Sequence, residues 1–241
     1  MKRLLALSFG DLKNISRDSM LLIAVSVPFI IAFLMRPALP FAREMLLREL
    51  SFELSEYYGL IMSFLILVTP MMIGMLSGFL MLDERDENIL YFYSVTPLSK
   101  SGYLFYRITA PAIVTFVLSF FVFYYIGILD YRIELLIPVL MVCALETPMV
   151  ALFLAAFASN KVEGLALTKA FGILLLSPAA GYFIRSKWQY AAGITPTFWI
   201  SKALIAGAGG GGGYWVFIAA GVAVHLLIIG MLVNRFENIY M

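Results

Sequence analysis

The sequence predicts an all-α, polytopic membrane protein with six transmembrane helices, an N-terminal interfacial amphipathic helix and a re-entrant segment before the last span. Three observations carry that prediction. Of the 241 residues, 62% are apolar and 13% are charged, against about 45–50% and about 25% in an ordinary soluble chain. The mean hydropathy is +0.94. Six runs each approach or exceed the ~20 residues needed to cross a hydrocarbon core of ~30 Å. A soluble domain of this length could not enclose so much apolar surface, which excludes a soluble enzyme and a disordered chain. A net charge of +2 excludes a nucleic-acid binder, which needs clustered cations. The single cysteine, Cys143, excludes an internal disulfide framework or a CxxC site, and in its apolar run it reads as packing.

The elements follow in order as one transmembrane domain, 1–241. Lys2 and Arg3 before Leu4, Leu5 and Leu7 mimic a signal peptide, but the apolar stretch ends at Gly10-Asp11 and no small-residue cleavage site follows. On a helix, Leu5, Phe9, Leu12 and Ile15 share one face and Lys2, Lys13, Asn14, Arg17 and Asp18 lie mainly on the other, so residues 1–18 read as a helix in the membrane surface. The spans are 20–42, 57–82, 108–129, 135–158, 164–184 and 214–234. Between the first two, Arg36 to Glu56 carries Arg43, Glu44, Arg48, Glu49, Glu53 and Glu56 among leucines and reads as a short amphipathic helix. The turn around Asp130, Arg132 and Glu134 is tight, and Ser159-Asn160-Lys161 is a brief polar turn.

Arg185 to Gly213 is too apolar for a free loop and carries Trp188, Tyr190, Phe198 and Trp199, so it is expected to dip into the membrane. Thr195-Pro196 marks a helix start, with Thr as N-cap and Pro at the first helical position. Gly209 to Gly213 reads as a flexible hinge before the last span. An inside N-terminus places ten Lys/Arg residues on the cytoplasmic side and seven on the other. Four of the ten precede the first span, so both termini are expected in the cytoplasm of a plasma-membrane protein.

Asp83 to Arg107 reads DERDENILYFYSVTPLSKSGYLFYR. Four acids and an arginine follow directly on the second span. Ile89, Leu90 and Tyr93 then share a helical face, and Thr96-Pro97 ends one helix and opens the next. Acidic groups favour a helix N-terminus, so Glu84, Arg85, Asp86 and Glu87 are expected to start a short helix across the cytoplasmic surface. Such a helix suits docking onto a soluble partner; an ordinary hydrophilic loop fits the same composition. No GxxxxGK[ST] motif occurs, so the chain carries no ATP-binding loop.

In this stretch the chain resembles the permease subunit of type-2 ABC exporters, whose pattern is close to E-R-E-x-G-T-L-E followed by x-T-P-L-S. Glu84, Arg85 and Asp86 stand at its E-R-E, and Thr96, Pro97, Leu98 and Ser99 match its T-P-L-S. Asn88, Ile89 and Tyr91 depart from its Gly, Thr and Glu. The order of surface helix, six spans and re-entrant segment extends the resemblance along the chain, and the small form without extra domains is similar to drug-export permeases, including those for fluoroquinolones. The resemblance implies a separate ABC ATP-binding subunit that carries ATP and Mg and pushes through residues 84–97. It also implies a second permease chain, identical or paralogous, enclosing a pathway for a hydrophobic or amphipathic compound. It gives this chain no catalytic residue, cofactor or metal.

Two ionisable residues lie deep in spans: Glu146 in 135–158 and His225 in 214–234. A charge at the bilayer centre costs about 2.5–3.5 kcal/mol on insertion scales, so each needs a partner or water. Their depths match, so they can pair with each other or with a second chain. A pathway or proton-linked site and a structural contact between helices are both open. Among rival functions, an intramembrane serine protease needs a G-x-S-x turn, and Gly74 to Gly78 has the wrong spacing around Ser77. A haem-maturation exporter permease shares the six-span plan, and a non-transporting membrane subunit fits the composition.

Overall fold

The computed structural model describes residues 10–11, 13–87, 89, 100–210 and 212–240. These are almost entirely helical, with no strand among the described residues. The helices are α1 (Ser19–Leu50), α2 (Tyr58–Asp86), α3 (Lys100–Ile126), α4 (Ile133–Phe157), α5 (Lys161–Leu174), α6 (Leu176–Phe183), α7 (Pro196–Ala208) and α8 (Tyr214–Tyr240). Six stretches are long and apolar enough to span a membrane, α5 and α6 counting together as one. The chain is thus an all-helical integral membrane protein.

Residues 10–11 and 13–17 are helical, and Asp18 breaks from them. Its carboxylate accepts from the Met20 and Leu21 amides at 2.8 and 3.4 Å and so caps α1. The 32 residues of α1 reach about 48 Å at 1.5 Å per residue, well beyond the hydrocarbon core. The separate amphipathic helix expected over Arg36–Glu56 is therefore corrected: its first half is the projecting end of α1. Pro37 and Pro40 do not stop the helix, because the strong helix formers Ala42 to Leu50 follow with no Gly or Asn. The stop comes at Ser51, in the left-handed conformation with φ 51°, and the Arg43 guanidinium grips Glu53 at 2.7 and 3.1 Å to hold the turn.

The centre of the bundle is α2 against α4. Their apolar windows are 61% and 72% buried, against 17–28% for the other four spans. Gly74 and Gly78 allow the approach, since a Cβ on Gly74 would lie 2.8 Å from the Thr147 carbonyl oxygen and one on Gly78 would lie 2.9 Å from Leu154 Cβ. Apolar packing divides by depth. Phe79, Leu82, Leu154, Phe171 and Phe236 fill the half at the start of α1 and the end of α2, and Met62, Ile66, Phe123, Leu140, Ile200 and Leu204 fill the other.

The fifth span is broken at Leu175. Pro178 has no amide hydrogen and so leaves the Leu174 carbonyl without its helical donor. The hydroxyls of Ser177 and Thr197 donate to that carbonyl instead, at 2.9 and 2.6 Å. Thr197 belongs to α7, so the break also pins the segment that folds back into the bundle. Phe198, Ile200 and Leu204 of α7 are fully buried, and the helix packs on α2, α4 and α8. Pro196 opens α7 at its first position with Thr195 before it. The Thr195 hydroxyl, however, donates back to the Ala192 carbonyl at 2.6 Å and does not cap α7. Gly210 and Gly213, at φ 63° and 91°, turn the chain into α8.

Candidate functional site

The acid-rich stretch after the second span does not begin a new helix. Glu84, Arg85 and Asp86 are the last turn of α2, and Glu87 is its C-cap. The expectation that they start a helix is corrected, because nothing between Leu82 and Asp86 breaks the pattern of α2 and their partners lie on neighbouring spans. Ile89 is helical; Leu90, Tyr93, Thr96 and Pro97 lie outside the described residues.

Arg107, on the second turn of α3, is only 2% exposed and sits between two carboxylates. Its Nη1 and Nη2 donate to Asp11 at 2.9 and 3.0 Å. Its Nε donates to Glu84 Oε2 at 3.1 Å and its Nη2 to Glu84 Oε1. The Tyr103 hydroxyl donates to Glu84 at 2.7 Å and that of Tyr106 to Asp11 at 2.8 Å. One planar guanidinium, with donors fixed in a fork, thereby joins α2, α3 and the N-terminal segment.

A second node lies beside it. Lys161 Nζ, at the start of α5, donates to Asp18 at 2.6 Å and to Asp83 at 2.9 Å. The ammonium bonded to Asp18 holds that carboxyl below its ordinary range. The third feature is the end of α4. Arg85 donates to the Ala158 carbonyl at 2.8 Å, and Arg235 of α8 donates to that of Ala156 at 3.3 Å while lying 4.1 Å over the Phe157 ring. Two cations thus meet the negative end of the helix dipole. A cavity of about 330 Å³ opens between the nodes, with Asp11, Asp18, Asp83, Glu84, Glu87 and Arg17 in its wall.

Halfway through the bundle, His225 Nε2 lies 2.9 Å from Glu146 Oε2, and both side chains are fully buried. His225 Nδ1 lies 2.7 Å from the Gly221 carbonyl oxygen. That oxygen can only accept, so Nδ1 carries a hydrogen. One further proton then lies between Nε2 and Oε2, and the pair is neutral overall on whichever side that proton sits. Glu146 Oε1 has no hydrogen-bond partner. One residue along, Thr147 shares a 2.7 Å hydrogen bond with Thr115 of α3, so a polar layer crosses α3, α4 and α8 at this depth. Among the described residues no group of three or more His, Cys, Asp or Glu side chains is placed to hold a metal ion.

Residues 11–233 match the profile of the family described as fluoroquinolones export permease protein Rv2686c-like. The chain belongs to this family. It is 32% identical over 239 residues to the fluoroquinolones export permease protein Rv2686c of Mycobacterium tuberculosis strain H37Rv, with 98% of this chain and 94% of the relative covered. The corresponding protein MT2760 of strain CDC 1551 matches with the same identity and coverage. No solved structure matches. A membrane-embedded export permease is consistent with the six spans.

Within this permease, the predicted residues separate into two places. Glu84 to Glu87 gather at the end of the bundle that holds Asp11 and Phe236, and Glu146 and His225 meet at its middle. Sequence reasoning missed Asp11, Asp18, Asp83, Tyr103, Arg107 and Lys161 as partners of that end. The available signal was that Arg107 and Lys161 stand at the mouths of two spans on the same expected side of the membrane as the acids at 83–87. Which acid each cation meets depends on which spans are neighbours, and spacing along the chain does not encode that.

Proposed function

We propose that the chain is the transmembrane subunit of an ATP-driven exporter of hydrophobic or amphipathic, drug-like compounds. In this reading a separate ATP-binding subunit carries ATP and Mg, and two permease chains enclose the pathway. Both termini face the cytoplasm, and residues 84–107 receive the push. The observation that carries the reading is the charged end of the bundle. The stretch that resembles an exporter coupling segment emerges from Glu84 and returns at Arg107, and those two residues are bonded to each other. A force applied between them therefore acts on α2 and α3 together. The resemblance of the relatives' names to this activity supports the cargo class.

The alternating-access step requires two packings of the same helices, with ATP binding favouring one. The pair Glu146–His225 lies at the depth where such a pathway would run, and in this reading it lines or braces it. The test is reconstitution of the purified permease with a candidate ABC ATP-binding subunit, in vesicles loaded with a fluorescent fluoroquinolone or a lipid-like dye. Movement that needs ATP and both subunits is the expected result. Equal movement with the permease alone, or with ATP absent, would overturn the reading. Co-purification in detergent should yield two permease chains per complex.

A further inference from the structure

At the end of the bundle opposite the charged nodes, a second cavity of about 420 Å³ opens between the start of α2, the end of α6 and α7. Its wall contains Tyr57, Tyr182, Phe183, Lys202, Arg185 and Glu56. The aromatic rings form one cluster, with centroids 5.7 Å apart for Tyr57–Tyr182, 5.2 Å for Tyr182–Phe183 and 6.4 Å for Tyr57–Phe183. The Tyr182 hydroxyl donates to the Glu56 carbonyl oxygen at 2.8 Å, which ties α6 to the turn before α2.

Lys202 is the unusual member. It is half-buried and lies 5.7 Å over the Phe198 ring, and among the described residues it forms no ion pair. Burial alone draws its pKa below the ordinary lysine value, with no carboxylate to raise it. Two cations, half-buried Lys202 and exposed Arg185, thus stand in a wall that holds one carboxylate, and Lys202 pairs with none among the described residues. The lone carboxylate of Glu56 points from an exposed position in the same wall.

The depth of the cavity identifies the ligand. Tyr57 immediately precedes α2 and Phe183 ends α6, so the cavity sits at the ends of two spans, where lipid headgroups lie and where tyrosines are enriched. Phe183 and Ile184 are 62% and 42% exposed beside it and offer an apolar shoulder to acyl chains. A phosphate oxygen is the acceptor that an ammonium and a guanidinium bind with charge-assisted hydrogen bonds. We propose that this cavity binds the phosphodiester headgroup of an anionic phospholipid, with Lys202 as its principal contact and Arg185 as the second. The proposal does not depend on the export reading.

The test is a thermal-stability titration of the purified permease in detergent with phosphatidylglycerol, phosphatidylcholine and inorganic phosphate. Phosphatidylglycerol should raise the unfolding temperature in a saturable way, and neither other probe should. Lys202→Gln should shift the midpoint of the response about tenfold or more, as expected for a lost hydrogen bond to a charged group, and Lys202→Arg should keep it. At exposed positions, Arg185→Gln should weaken and Glu56→Gln should tighten the response, each roughly twofold, as for surface charges. Those two variants decide the matter if Lys202→Gln does not fold. Equal responses to phosphatidylglycerol and phosphatidylcholine would overturn the proposal. Inorganic phosphate giving the full shift would replace the lipid with a free anion, and unchanged midpoints in both Arg185→Gln and Glu56→Gln would place the lipid elsewhere.

Discussion

Replacing His225 by Leu removes one side chain from a fully buried pair, and the structure sets how much that should cost. The Gly221 carbonyl that His225 Nδ1 contacts lies one helical turn before it, where it already accepts in the α8 ladder, so its loss of the imidazole is minor. The loss that matters is the 2.9 Å bond to Glu146, whose other oxygen already lacks a partner. A buried ion pair stripped of one member costs about 3–5 kcal/mol in a soluble protein. An isolated charge deep in a low-dielectric core takes up or gives up a proton sooner than bear that penalty, so the full figure does not apply. What remains is one orphaned polar group, about 1–3 kcal/mol, reduced because the chain unfolded in a membrane also finds partners; interhelical hydrogen bonds there average about 0.6 kcal/mol. We therefore expect His225→Leu and Glu146→Met each to destabilise by about 1–2 kcal/mol, and the double variant to recover about 1 kcal/mol relative to their sum. Reversible unfolding in mixed micelles, followed by tryptophan fluorescence, measures the full cycle. A coupling of zero would show that the pair is not an energetic unit, and one above ~3 kcal/mol would show that it is charged.

Four further outcomes follow from named contacts. Arg107→Met should destabilise by about 3 kcal/mol or more, because it strands Glu84 in a buried site, and Arg107→Lys should not restore stability, since an ammonium cannot fork between two carboxylates; thermal unfolding of both variants measures this. Gly74→Ala should cost about 1–3 kcal/mol through overpacking against Val150 and the Thr147 carbonyl, whereas Gly172→Ala, whose Cβ would meet nothing within 4 Å, should be neutral or stabilising by up to about 1 kcal/mol; the same melts compare them. Arg43 holds the exposed Glu53 carboxyl at about 2, below its ordinary 4.5. Its contribution to this turn is thus complete above pH ~4.5 and lost as pH falls toward 2, and Arg43→Gln should remove that acid-sensitive component from hydrogen exchange at Ser51 to Ser55. Charge reversal at Glu84 and Arg85 together should abolish pull-down of the ATPase partner in the coupling reading, and intact pull-down would refute that assignment.

The number of spans was legible because lipid imposes it: a run of about 20 apolar residues has no other stable home. The depth match of Glu146 and His225 was legible for the same reason, since position along a span is position across the membrane. Contacts between spans were not. Arg107 and Asp11 are 96 residues apart, and Lys161 and Asp18 are 143 apart, so their meeting depends on helix order around the bundle, which hydropathy does not report. Two local errors have local causes. The continuation of α1 past Ala42 is not legible because the charges from Arg43 onward end the apolar run, while strong helix formers carry the same helix on to Leu50. Glu84 to Glu87 suit a helix start on dipole grounds, but Glu84 to Asp86 instead form the last turn of α2, where Glu84 pairs with Arg107.

The fold therefore joins a rigid centre to a charged rim. α2 and α4 touch through Gly74 and Gly78 at distances that leave no room for a methyl group, so the two move as one body. The rim is fastened to that body at one end only: Arg107 brings in α3 and the N-terminal segment, Lys161 brings in α5 and the cap of α1, and Arg235 brings in α8. In the coupling reading, a partner that displaces residues 84–107 cannot move one span alone, because each peripheral helix is bonded to the same few side chains. At the opposite end the links between spans are lighter: Arg36 lies 4.7 Å over the Tyr125 ring, Tyr182 donates one hydrogen bond to Glu56, and the Arg43–Glu53 pair joins α1 only to the turn that follows it. Motion that starts at the charged end would be delivered to the whole bundle and released as a change of packing at the other. Severing Lys161 from Asp18 and Asp83 by Lys161→Met should then uncouple ATP hydrolysis from transport without abolishing ATPase binding; loss of binding itself would show that this node is part of the docking surface and not a transmission link.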